Sequence, residues 1–262
     1  MMEWVGVDSL YQVVARDEAM DFIPWLSVRW QTSPPDSGHY FWWDDKGLAL
    51  KSAAIDARSR VHVDFIHGAR ARRVKAVTGE ALTRAMGCQK GLRPSIIDMT
   101  AGLGGDLSVL ANVGCEIFAM EKHPVVAALL RDALRRAEDA DTSWCERVQF
   151  RHADSVECVS GVSHGVIYLD PMFPKERRAA PSLTMQVLHS LEKTIDHPER
   201  LLEAALDSDA ARVVVKRPIK ADILGGRMPS SQIKAKTIRF DLYPKRKLTI
   251  DDCERFQAMV DA

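Results

Sequence analysis

The spacing of apolar residues changes character about a quarter of the way along the chain. From residue 76 onward, short apolar runs alternate with stretches whose apolar positions recur every three or four residues, which predicts strands and helices in turn. Residues 78–86 read as a helix stopping near Gly87, and 95–99 as a short buried strand entering a glycine-rich turn. A helix over 106–113 ends at Gly114 and a strand follows over 116–120. A long amphipathic helix then covers 124–137, with Pro124 in the first turn, where its missing N–H is not needed. Residues 148–150 form a brief strand, and 166–169 are apolar throughout before Asp170-Pro171. Helices over 183–191 and 199–206, a β-branched strand over 212–216 and a last strand over 236–243, expected at the sheet edge, complete the series. Repeated β-α-β units imply an α/β fold, a doubly wound and mostly parallel sheet with helices on both faces.

Residues 1–75 are different. They hold Trp4, Trp25, Trp30, Trp42 and Trp43, a turn cluster at 34–38, and two strand-like runs at 47–52 and 60–65, the second alternating as Val61, Val63, Phe65. This predicts a small β-containing N-terminal lobe over 1–75 and a larger domain over 76–262.

An apolar content of 46% is enough for a core that needs no staples. The five cysteines are scattered and none falls in a CxxC, and the eight histidines show no HxH or HxxxH pairing. A reducing compartment and no metal centre are expected. No basic-then-apolar leader opens the sequence and no apolar run approaches the ~20 residues of a membrane helix. A soluble, cytoplasmic protein is expected. Lysine plus arginine and aspartate plus glutamate each number 36, so net charge is zero, but the charges are unevenly placed. Residues 212–247 carry eleven basic side chains against Asp222 and Asp241, and 58–75 carry a second basic cluster. Such a layout suits phosphate groups, or simply a solvated surface.

The run Asp98-Met99-Thr100-Ala101-Gly102-Leu103-Gly104-Gly105-Asp106 lies between a strand and a helix, where glycines allow a sharp turn and close approach of a ligand. A dinucleotide site would want G-x-G-x-x-G and a pyrophosphate at the helix N-terminus. Here Leu107 stands at the third glycine position, and Asp106 places a negative charge where the pyrophosphate would lie. S-adenosylmethionine (SAM) carries a sulfonium and an ammonium and no phosphate, and the D-x-x-x-G-x-G spacing fits it better; a nicotinamide cofactor, and with it an oxidoreductase, is the alternative. Glu121, at the end of the next strand, is placed to bind ribose hydroxyls in either case, or to pair with Lys122. Asp154-Ser155 follows the third strand, where Asp154 can accept from an adenine amino group or cap a helix.

Asp170-Pro171-Met172-Phe173-Pro174 follows the apolar strand over 166–169 and resembles the D/N-P-P-Y/F motif of amino-group methyltransferases, with Met172 in place of the second proline. An exocyclic amine on a base is a poor nucleophile because its lone pair is delocalised. Acceptors on its N–H groups, the Asp170 carboxylate and the Pro171 carbonyl, favour a pyramidal nitrogen, while Phe173 can stack on the base, worth about 1–3 kcal/mol. Catalysis is then mainly positioning and electrostatics. Adenine in nucleic acid or a protein amide are alternative acceptors.

With Glu121-Lys122-His123-Pro124 through Leu130, Tyr168 through Pro174 and Val213 through Pro218 added, the chain from about 60 to 243 resembles the ribosomal RNA small subunit methyltransferase J family. The resemblance implies a class I SAM-dependent methyltransferase fold, Rossmann-like, and formation of N2-methylguanosine in 16S ribosomal RNA of the small subunit. To the cofactor contacts that the loop spacing offers at Asp98, Gly102 and Gly104, the resemblance adds Gly105, Asp106, Glu121, Lys122, Asp154, Ser155 and Asp170. The family usually has Arg where this chain has Gly105, and the N-terminal lobe diverges. The basic clusters then acquire a use: Arg70, Arg72, Arg73, Lys216, Arg217 and Lys220 are expected to contact RNA phosphates around an extruded nucleotide.

Overall fold

The computed structural model describes residues 12–14, 23–26, 29–31, 33–53, 60–75, 81–89, 91–162, 165–171 and 197–254. The helix expected over 183–191, and Met172 through Pro174, lie outside them.

The larger sheet has seven strands: β6 (Ile96–Asp98), β7 (Ile117–Glu121), β8 (Val148–His152), β9 (Val166–Leu169), β10 (Arg212–Pro218), β11 (Ser231–Lys234) and β12 (Ile238–Pro244), in the order β11-β12-β10-β9-β6-β7-β8. From β10 to β8 all pairs are parallel, and β12 and β11 close one side antiparallel. The strand over 236–243 is therefore not at the edge. β11 lies outside it, and its polar sequence Ser-Gln-Ile-Lys carries no apolar signal to announce a strand. Strands β6 and β9 are buried on both faces, which is why they read as continuous apolar runs.

Helices α2 (Ala81–Met86), α3 (Gly105–Val113), α4 (Pro124–Asp139), α5 (Ser155–Cys158) and α6 (Pro198–Asp207) connect and cover these strands, after α1 (Gly68–Lys75). Sequence punctuation sets their ends. Gly114, with φ 106°, terminates α3 and donates its N–H to Ala111 and Leu110 carbonyls; His123 caps α4 through Nδ1, which accepts from the Val125 N–H, ahead of Pro124.

The N-terminal residues form a second sheet, β2-β1-β3-β4-β5, from β1 (Gln12–Val14), β2 (Arg29–Gln31), β3 (His39–Asp44), β4 (Gly47–Ser52) and β5 (Arg60–His62). It packs on α4, whose other face lies on the large sheet. Leu48, Leu50 and Val61 share one apolar core with Leu129, Leu130 and Ala133. A charged contact ties the two halves: fully buried Asp132 of α4 accepts from the Leu48 N–H at 3.0 Å and from Arg136 Nε at 2.8 Å. Arg136 in turn donates to the Val63 carbonyl. Trp25 adds a second tie, donating its indole N–H to the Pro124 carbonyl at 3.2 Å and stacking on His152 with ring centroids 4.9 Å apart. Among the described residues no helix is long and apolar enough to cross a membrane.

Removing one member of a buried charge pair strands the other. Asp132→Ala should lower stability by about 3–5 kcal/mol, read as a fall in the urea midpoint, and Asp132→Asn, which keeps an acceptor for Leu48, should lose less.

Candidate active site

Strand order creates the crevice. The chain leaves β6 toward β7 and β8 on one side, then returns to place β9 and β10 on the other, so the loops after β6 and β9 part at their carboxyl ends. In an open α/β sheet this is where ligands bind. Registers Asp98↔Tyr168 and Asp98↔Ala119 bring the ends of β6, β9 and β7 side by side.

The loop after β6 meets its neighbours through hydrogen bonds. Thr100 donates its N–H to the Asp98 carboxylate at 3.1 Å, and its hydroxyl accepts from the Asp170 N–H at 2.6 Å, joining the two loops. Glu121 spans the next gap, accepting from the Gly102 N–H and the His123 N–H, both at 2.8 Å. It is not the partner of Lys122, which pairs with Asp154 at 2.8 Å. Asp154 also caps α5 by accepting from the Val156 N–H, and Ser155 ties α5 to the first loop by donating to the Met99 carbonyl at 2.9 Å. The two glycines of the G-x-G differ in use. A Cβ on Gly104 would lie 2.7 Å from Leu130 and 2.8 Å from Phe65, so glycine there permits packing against α4 and the N-terminal residues. A Cβ on Gly102 would meet nothing nearer than 3.8 Å, leaving its outer side open to a ligand.

Behind the loop lies a charge network that the sequence did not reveal. Asp106, in the first turn of α3, has one oxygen 2.7 Å from Arg73 and the other 2.7 Å from both the Tyr168 hydroxyl and Lys216 Nζ. Lys216 also reaches Asp170, again at 2.7 Å. Arg73 further donates to the Gly105 carbonyl at 3.4 Å. Desolvation would raise the Asp106 carboxyl, but Lys216, Tyr168 and Arg73 outweigh it and hold it below the ordinary range. Desolvation pushes the Asp170 carboxyl up, with Lys216 opposing and Asp106 adding to the rise. Desolvation would lower the Lys216 ammonium, yet the two carboxylates raise it. Asp98 is buried with one backbone partner, and burial, reinforced by the charges of Asp106, Asp170 and Glu121, lifts its carboxyl to about 8.

The residues expected to touch RNA therefore separate. Arg73 and Lys216 are engaged by carboxylates of the site. Arg217 is buried, donating to the Asp222 carbonyl at 2.7 Å, so the expectation that it meets phosphate is corrected. Neighbours on a strand point to opposite faces, and of Lys216 and Arg217 only the first can face the crevice. Arg72 and Lys220 are exposed, and the side chain of Arg70 and the whole of Phe173 lie outside what the structure describes. Pro171 is buried directly after Asp170.

An open glycine loop bordered by Glu121, with buried Asp98 beneath it able to give up a proton, suits a ligand bearing positive charge and hydroxyl groups, which is the chemistry of SAM. The fold and site define a SAM-dependent methyltransferase of the class I type. A family profile described as "Putative SAM-dependent methyltransferase" matches residues 26–245. A SAM-dependent methyltransferase of Neisseria gonorrhoeae superposes with a TM-score of 0.70 at 28% identity, covering 89% of this chain and 95% of that one. The ribosomal RNA small subunit methyltransferase J of Pseudomonas savastanoi pv. phaseolicola is 42% identical over 78% of this chain and 79% of its own length. The protein of that name from Shewanella amazonensis is 39% identical over 84% and 92%. The chain belongs to the ribosomal RNA small subunit methyltransferase J family. None of these relatives supports a nicotinamide cofactor.

Because Asp98 holds its proton up to about pH 8, whereas an unfolded aspartate releases it near pH 4, the folded state binds the extra proton in between. Stability of the cofactor-free protein should therefore fall from this group as pH rises through that window. A cation bound beside it favours the carboxylate. SAM binding should thus tighten between pH 6 and 8 and release a proton, and Asp98→Asn should remove both effects. Calorimetry in buffers of different ionisation enthalpy reads this directly.

Proposed function

We propose that this protein transfers the methyl group of SAM to the exocyclic N2 of a guanosine in 16S ribosomal RNA of the small subunit. The supporting observation is the convergence of the Asp98–Asp106 loop with Asp170-Pro171, held by the Thr100–Asp170 hydrogen bond and the shared Lys216. The relatives are named for small-subunit ribosomal RNA as their substrate.

Glu121 and the backbone from Gly102 to Asp106 would hold the cofactor, with Asp98 beneath and Lys122, Asp154 and Ser155 at the far end. Bound there, SAM supplies an electrophilic methyl on a sulfonium. Asp170 has one oxygen on Lys216, and its side chain is 37% exposed, so it keeps acceptor capacity toward the crevice. That carboxylate and the Pro171 carbonyl accept the N–H groups of the guanine amine and direct its lone pair. Asp170 and Pro171 would thereby aim the amine nitrogen at the methyl group that SAM would supply. The surplus proton then leaves the acidic product amine for water or for Asp170, so a strong base is not required. Phe173 would stack on the base. Lys216 is a positioning residue that fixes the Asp170 side chain and balances its charge. Arg70, Arg72 and Lys220 would take backbone phosphates, and the N-terminal lobe, residues 1–75, would add to RNA docking.

Asp170→Ala should reduce methyl transfer at least about a hundredfold while leaving the melting temperature and circular dichroism near those of the parent. The assay is labelled SAM with 16S ribosomal RNA and with small subunits from cells lacking the gene, followed by mass spectrometry of the nucleosides. Full activity in the variant would remove Asp170 from the mechanism, and a methylated adenosine in place of N2-methylguanosine would replace the acceptor.

A further inference from the structure

We infer that the tip of the β11–β12 hairpin is a phosphate-docking ridge for the ribosomal RNA that flanks the methylated nucleotide, with Lys234 and Lys236 as its contacts. This rests on the RNA-methylating reading above and extends it to a surface outside the crevice. Because β12 runs antiparallel to β10, the pairing Pro218↔Ile238 places the start of β12 at the carboxyl end of β10. The pairing Lys234↔Arg239 brings the end of β11 to the same place. The turn 235–237 therefore stands on the same rim of the sheet as Asp170. With neighbouring strands about 4.8 Å apart, β12 lies roughly 10 Å and β11 roughly 14 Å from β9. A chain with one base turned into the crevice would cross the tip a few nucleotides away.

Lys234 and Lys236 are exposed, and neither makes an ion pair with the described residues. Lys220, also exposed, joins them, since the Ile219 N–H donates to the Thr237 carbonyl at 3.0 Å. The two acidic residues between 212 and 247 are exposed Asp222 and buried Asp241, and the charge of Asp241 is met inside the protein by Arg239.

The tip is also rigidly built. Arg239 is buried and donates to the carbonyls of Pro218, Ile219, Ala221 and Asp222 while pairing with Asp241 at 2.9 Å. Gln232 of β11 donates to the same carboxylate at 2.7 Å. The Ala235 N–H closes the turn on the Ile238 carbonyl at 2.8 Å. A buried ion pair is costly to form, and this one fixes the hairpin against the loop that leaves the active strand, so cations on the tip keep a set distance from Asp170. Lysine on an edge strand also guards against pairing with other sheets. That accounts for Lys234 on β11 but not for Lys236, which is in the turn.

The test uses the full chain with the double variant K234Q/K236Q, and 16S ribosomal RNA and small subunits from cells lacking the gene as probes. At 150 mM salt KM for RNA should rise about five- to tenfold with kcat within about twofold. The slope of log KM against log salt should flatten by about 1.4, two contacts at roughly 0.7 each. K234R/K236R, which keeps the charge, should retain the parent KM. An unchanged KM and salt slope in K234Q/K236Q would overturn the ridge and leave edge protection as the use of these lysines. A loss confined to kcat would overturn it too. A parent protein that methylates neither probe would sink the functional reading, and the ridge with it; a parent that methylates beside an unaffected variant sinks the ridge alone.

Discussion

The interaction on which the site depends is the bridge of Lys216 between Asp106 and Asp170. It joins three elements that are far apart in sequence: the helix after the glycine loop, the end of β9 and the strand β10. With Tyr168 and Arg73 also on Asp106, the carboxylate at the mouth of α3 is satisfied from within. Two buried or half-buried acids are tolerable only because one ammonium serves both and a guanidinium supports it. The same arrangement keeps the glycine loop and the Asp-Pro turn at a fixed separation, which a methyl transfer between two bound groups requires.

Around that bridge the remaining acids are held by backbone donors. Asp98 and Glu121 have backbone partners, Glu121 on Gly102 and His123 and Asp98 on Thr100. Asp98 keeps its proton up to about pH 8, so a sulfonium with an ammonium beside it draws that proton off, whereas a phosphate would hold it on.

Much of this was legible in the sequence. The loop from Asp98 to Asp106 and the Asp170-Pro171 turn announced themselves because each follows a short run of wholly apolar residues, and in a parallel sheet such runs end where ligands bind. Less legible were the pairings. The roles of Arg73 and Lys216 depend on which strand lies beside which, and a basic residue looks the same in sequence whether it meets phosphate or a carboxylate. The period of two along β10 held a usable signal, since it sets Lys216 and Arg217 on opposite faces. Strand β3 was hidden for another reason: in His-Tyr-Phe-Trp-Trp-Asp the aromatics run together without polar alternation, although only Tyr40, Phe41 and Trp43 are buried. Strand β11 was hidden because it is almost wholly polar.

Helix α4 is coated by protein on both sides, with the large sheet beneath and Leu48, Leu50 and Val61 above. Its sequence is that of a shared internal strut, packed from both parts of the chain. Excision of the catalytic half would lay bare an apolar helix face and leave the Asp132 carboxylate without its Leu48 donor.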